Sequence, residues 1–164
     1  MYVAIVIALM FLFPLLSVAA QILLTDHGML TAAGAFGIIA KWYVFWAVGI
    51  RLLLAGSRQT LQPAYTARTI LGLEGTECLV LVREVGFANL AMGSVATASL
   101  YLPGWVIPSA LAGGIYYGLA GINHIFRRHR SRLETVAMSS DLFAAYVLIS
   151  CCVSAVLSTA SATN

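Results

Sequence analysis

Lys41 is the only lysine in the chain, and it stands inside the otherwise uncharged stretch TAAGAFGIIAKWYVFWAVGI. Ten residues of helix at 1.5 Å each put its ammonium on the order of 15 Å from a membrane's outer face, near the bilayer centre. A cation at that depth can bind an anionic ligand, carry a proton or serve as a counter-ion. The plainer reading is an ion pair or hydrogen bond to a neighbouring helix, or a side chain that snorkels. Gly34, Gly37 and Val48 share its helical face by spacing, so another helix has room to approach it. Asp141 and Glu84 are the nearby acidic candidates, but neither reaches the depth expected for Lys41.

A second constellation joins Arg83, Glu84 and Asn89 with Asn123 and His124. Its histidine can titrate near neutral pH, ligate haem iron or assist proton transfer. The competing reading is an interfacial histidine held by hydrogen bonds, with Arg83 and Glu84 as an anchoring pair. A haem between helices usually needs a second axial ligand, and His27 and His129 fall outside the apolar runs. No nucleophile–base arrangement, paired carboxylate or phosphate loop can be read, and Gly72 with Gly75 does not satisfy the last pattern. The three cysteines make no disulfide framework and show no metal-ligand spacing, so no metal site is expected. Catalytic residues and cofactors therefore stay unassigned, and an enzyme assembled from single polar residues on separate helices stays open.

The elements that must position these residues follow from composition. Of 164 residues, 61% are hydrophobic and 9% charged, whereas a soluble domain keeps about a quarter charged. Charge-free or nearly charge-free runs of about 20 residues mark membrane-crossing helices. They fall at 3–24, 31–55, 80–101, 104–126 and 140–160. The first run has no basic residue before it and is longer than a secretory h-region, which favours a retained span over a cleaved signal at Val18–Ala20. Ser139 or Ser140 is a candidate N-cap for the fifth. Residues 56–79 form the long connection, mildly amphipathic around Tyr65–Leu73, and suit a short helix at the membrane surface. The expectation is an all-α polytopic transmembrane bundle, one domain of about five spans with one short interfacial helix.

Arginine placement sets its expected orientation. Arg51, Arg58 and Arg68 and the cluster Arg127, Arg128, Arg130 and Arg132 are separated by two spans and emerge on one side. The positive-inside rule makes that side cytoplasmic, with the N-terminus inside and the C-terminus outside. Tyr101 and Trp105 then mark the outer boundary. A folded basic domain for nucleic acid has no room in this chain.

Small residues point to helix contacts. Gly86, Asn89, Gly93 and Ala96 recur on one face of the third run, and Ala110, Gly114, Gly118 and Gly121 on one face of the fourth. The YLPGW link suggests that these two helices pair as an antiparallel hairpin. The segments REVGFANLAMG (Arg83 to Gly93) and LAGINHIFRR (Leu119 to Arg128) resemble small bacterial multi-pass membrane proteins distantly similar to DoxX-like proteins. That resemblance implies a compact helical bundle in a bacterial inner (plasma) membrane. Some DoxX-like proteins are associated with quinone-linked sulfur oxidation, but the resemblance carries no catalytic residue onto this chain.

The leading expectation is a protein that lies in a lipid bilayer and binds a partner membrane protein or a small lipophilic ligand. A redox-linked enzyme or subunit, with quinone or haem beside Glu84, Asn89, Asn123 and His124, is the alternative. A small transporter using Lys41 ranks third, since neither inverted repeats nor clearly broken helices are visible.

Overall fold

A computed structural model describes residues 2–25, 31–127 and 131–162. Five helices are long and apolar enough to cross a membrane: α1 (Tyr2–Leu24), α2 (Ala32–Leu61), α3 (Glu77–Ala98), α4 (Pro103–Ile125) and α5 (Arg132–Ser161). Among the described residues there is no strand. Many large apolar side chains face outward, among them Leu15, Leu16 and Leu23 on α1, Leu119 on α4, and Val156 and Leu157 on α5. Apolar surface of that extent suits lipid and not water.

Two helices reach further than the apolar runs suggest. Helix α2 continues to Leu61 instead of stopping at 55, and α5 starts at Arg132 instead of 140. The expected connection at 56–79 shrinks accordingly to the residues between Leu61 and Glu77. It holds a π-helical turn, Tyr65–Ile70, followed by Gly72 and Gly75 at φ of 64° and 103°. Both glycines sit in the left-handed region, which lets the chain reverse toward α3.

Local chemistry explains the starts. Thr31 Oγ1 accepts from Gly34 N at 3.1 Å and caps α2. Ser131 Oγ accepts from Glu134 N at 3.0 Å, so Ser131 caps α5 and the expected Ser139 or Ser140 does not. Ser140 lies inside the helix and donates to Ala137 O at 2.8 Å. Sequence alone favoured the serines beside the apolar run, but a charged first turn with the pattern Ser-x-x-Glu precedes that run.

Helix α2 is the centre of the bundle. Its buried Tyr43, Val44, Ala47, Val48 and Leu52 meet Met10 of α1, Ala96 of α3, Tyr117 of α4 and Leu148 of α5 in one core. Glycine governs the closest approaches. A Cβ at Gly93 would stand 2.8 Å from Leu53 N, one at Gly56 2.7 Å from Gly86 O, and one at Gly49 2.7 Å from Thr97 Oγ1. The small face of α3 thus packs on α2. The small face of α4 packs on α5, where a Cβ at Gly121 would meet the Leu142 side chain at 2.7 Å and one at Gly114 Ile149 Cδ1 at 2.8 Å. The two faces were expected to pair with each other across the YLPGW link. A glycine stripe specifies close approach without naming the partner, and longer neighbours with complementary side chains take both.

Helices α1 and α2 run antiparallel, with Trp42 Nε1 donating to Gln21 Oε1 at 2.6 Å and Trp46 Nε1 to Ser17 Oγ at 3.0 Å. Each carries a π-wound stretch, Ala8–Leu12 and Val44–Ile50, and Met10 and Arg51 meet beside them.

Candidate functional site

The α1–α2 register changes which cation is central. Lys41 stands level with the last turn of α1, next to Gln21, and its Nζ donates to Gln21 Oε1 at 3.4 Å. The same ammonium lies 4.9 Å from the Trp42 ring centroid. The glycines of its expected face do not receive a helix: Gly34 and Gly37 are exposed, and a Cβ at Gly37 would touch nothing. The α-helical spacing from Lys41 to the buried Val48 fails because π winding intervenes at Val44–Ile50. A lysine beside tryptophan near a helix end has the surroundings of an interfacial anchor.

Arg51 takes the central place instead. Met10, about halfway along α1, approaches its guanidinium, with Sδ 3.9 Å from Nη1. Arg51 Nη2 donates to Asp141 Oδ1 at 2.6 Å and to Ser140 Oγ at 3.1 Å. The guanidinium also lies 4.7 Å from the Tyr117 ring centroid, while Tyr117 Oη donates to Ala47 O at 2.6 Å. The two side chains of the ion pair are only 13% and 9% exposed. Four helices meet at Arg51, and its charge inside the bundle is tolerable because Asp141 neutralises it. The sequence reads Arg51 as a topology signal near the cytoplasmic end of the second span; the structure places it instead in an ion pair inside the bundle.

Below this pair, toward the Arg-rich helix ends, is a cavity of about 600 Å³. Arg51, Asp141 and Tyr117 border its inner end, and Tyr2, Arg58, Gln59, Tyr65, Asn89, Tyr116, Asn123 and His124 supply further polar lining. Ile5, Leu9, Leu54, Leu61, Ile70 and Val85 supply apolar walls. Asn89 is buried on α3, and its Nδ2 donates to Gln59 Oε1 at 2.7 Å. Among the described residues its Oδ1 has no hydrogen-bond partner, and neither has Arg58 Nε, although both atoms are buried. Unpaired buried polar atoms are uncommon because each costs about 1–3 kcal/mol.

Of the second expected constellation, the cavity lining unites Asn89, Asn123 and His124. Arg83 and Glu84 are exposed on α3 and are not part of the lining, nor is Lys41. His124 also belongs to a structural knot. Its Nδ1 lies 2.9 Å from Glu134 Oε1, which accepts from Arg127 Nη1 at 2.9 Å as well. Arg127 Nη2 donates to Leu71 O at 2.9 Å, fastening the connecting segment to the end of α4. Glu134 is buried at 1% exposure. His27, His129, Arg128 and Arg130 lie outside the described residues.

The sequence offers Asp141 only as a candidate partner of Lys41, and it does not single out Arg51, Arg58 or Glu134 as members of a site. A signal existed for Arg51 and Arg58: they are seven positions apart on one helix, which places them on one face. Glu134 was signalled by the Ser131-x-x-Glu134 pattern. Asp141 could be paired with Arg51 only once the packing of α2 on α5 was known.

No curated protein and no solved structure matches the chain. Residues 4–161 match the family of unknown function DUF6790, and with nearly its whole length covered the chain belongs to that family.

Proposed function

We propose that this protein binds a small lipophilic ligand in the cavity at the Arg-rich end of the bundle. One observation carries the reading: apolar walls and the polar side chains of Arg58, Gln59, Asn89 and Asn123 line one cavity of about 600 Å³. A ligand with an apolar body and a polar head would satisfy both parts. The arginines at the ends of α2, α4 and α5 support a cytoplasmic position for this end, with the C-terminus outside.

The test is purification in a mild neutral detergent, organic extraction and mass spectrometry, for the native chain and Ala120→Trp. Ala120 lines the cavity, so the bulkier side chain fills it. A lipophile retained by the native protein and depleted in the folded variant supports the reading. Equal retention by both, or none by either, refutes it.

A quinone-linked role is the second reading, favoured by aromatic Tyr2, Tyr65 and Tyr116 and by amide groups along the same lining. The haem form of that role has less support, since His124 is the sole histidine on the lining, which includes neither cysteine nor methionine. The extract's ultraviolet spectrum decides the matter: absence of a reducible quinone band would remove this reading. A partner-binding role and a Lys41-dependent transporter have no comparable support from the cavity.

A further inference from the structure

Resting on the reading of the cavity as a lipophile site, we infer that its ligand is a single-chain or double-chain amphiphile with an anionic head, held by Arg58. Arg51 is neutralised by Asp141 at 2.6 Å, and the buried Glu134 is engaged by Arg127 and His124. Arg58 has no carboxylate within ion-pair distance among the described residues. The cavity therefore carries an excess positive charge at one arginine.

That arginine is positioned for recognition. Its guanidinium carbon lies 3.7 Å from the centroid of the Tyr65 ring, so the aromatic face holds the planar group in place. A guanidinium fixed by stacking presents a fork of donors to a carboxylate or phosphate. Gln59 and Gln62 line the same region and add neutral polar groups without cancelling the charge. Leu54, Leu61, Ile70 and Leu71 line the cavity beside it, giving an acyl chain apolar contact. Carboxylate and phosphate heads share this chemistry, so a free fatty acid and a phosphatidic acid are both of the inferred class.

The experiment uses the full chain in neutral detergent and measures equilibrium binding of four probes: oleate, dioleoyl phosphatidate, oleyl alcohol and inorganic phosphate. Oleate or dioleoyl phosphatidate should bind at least about ten-fold more tightly than oleyl alcohol, as a charge-assisted hydrogen bond implies. Which of the two binds better identifies the source of the head. Arg58→Gln should remove that advantage, weakening the anionic probes far more than oleyl alcohol, while Arg58→Lys should keep most of it. If oleyl alcohol binds as well as oleate and Arg58→Gln changes neither, the anionic inference falls and the lipophile site stands. If no chain-bearing probe binds, both fall. Binding of inorganic phosphate alone would overturn the amphiphile assignment. Arg58→Lys is the control for folding, since it keeps the charge on a similar stem.

Discussion

Breaking the Arg51–Asp141 pair from one side should destabilise the protein far more than removing it whole. The guanidinium and carboxylate meet at 2.6 Å, and Ser140 Oγ accepts a further bond at 3.1 Å. With charge centres about 4 Å apart and an effective dielectric constant near 20, the attraction is about 4 kcal/mol. Arg51→Met removes it and leaves a carboxylate with 9% exposure among apolar helices, for an expected loss of about 3–5 kcal/mol. Asp141→Leu strands the guanidinium and should cost about the same by the same reasoning. In Arg51→Met/Asp141→Leu both charges and both desolvation penalties disappear, so stability should return to within about 1 kcal/mol of the native protein or exceed it. The assay is reversible unfolding in mixed micelles against increasing sodium dodecyl sulfate, followed by far-ultraviolet circular dichroism. A double variant as unstable as either single one would refute the argument. The pair would then matter through its shape and its bonds to Ser140 and Tyr117, not through uncompensated charge.

The glycine contacts give a sharper contrast between two positions. Gly93→Ala drives a methyl toward Leu53 N at 2.8 Å and Gly49 O at 2.9 Å, both backbone, and should lower stability by about 1–3 kcal/mol. Gly118→Ala meets only Ala145 Cβ at 3.7 Å and should be neutral or slightly stabilising in the same assay. Arg127→Leu removes one of two partners of the buried Glu134 and releases Leu71 O, so limited proteolysis between α2 and α3 should accelerate several-fold. Unchanged cleavage would show that the connection is held elsewhere. Gln21→Leu takes the acceptor from Trp42 Nε1 and Lys41 Nζ and should shift tryptophan emission while leaving retention of the cavity ligand as it was. A cysteine appended after Asn164 should react with an impermeant maleimide added outside intact cells; reaction only after lysis would reverse the proposed orientation.

The helical class was legible because apolar runs long enough to cross a bilayer leave few alternatives. Which polar residues meet was less so. Asn89, Asn123 and His124 were grouped by expecting their helices to lie antiparallel at similar depth, and they do share one cavity lining. Lys41 was placed centrally by counting from the start of its run. Helix α2 extends beyond the end of α1, however, so counting along α2 alone overestimates depth relative to the bundle. Arg51 was set aside for the opposite reason: a charge near the end of an apolar run reads as the end of a span. Ten further residues of helix follow it to Leu61, carrying enough small and apolar side chains to keep packing against α3. Long-range pairing such as Arg51 with Asp141 depends on helix order around the bundle, which a single sequence does not encode locally.

The π-wound stretch Val44–Ile50 separates Lys41 from Arg51 and Arg58 on α2 and sets their relative bearing. Each residue of an α-helix turns the chain by about 100°, so one residue accommodated in a wider turn changes the phase of everything beyond it. Deleting a single residue from these seven would return the stretch to ordinary winding. Trp42 would still find Gln21, whereas Arg51 would swing away from Asp141 toward a different neighbour. The wide turn is in this sense a rotational offset built into one rod, aligning Trp42 with Gln21 on one side of it and Arg51 with Asp141 on the other.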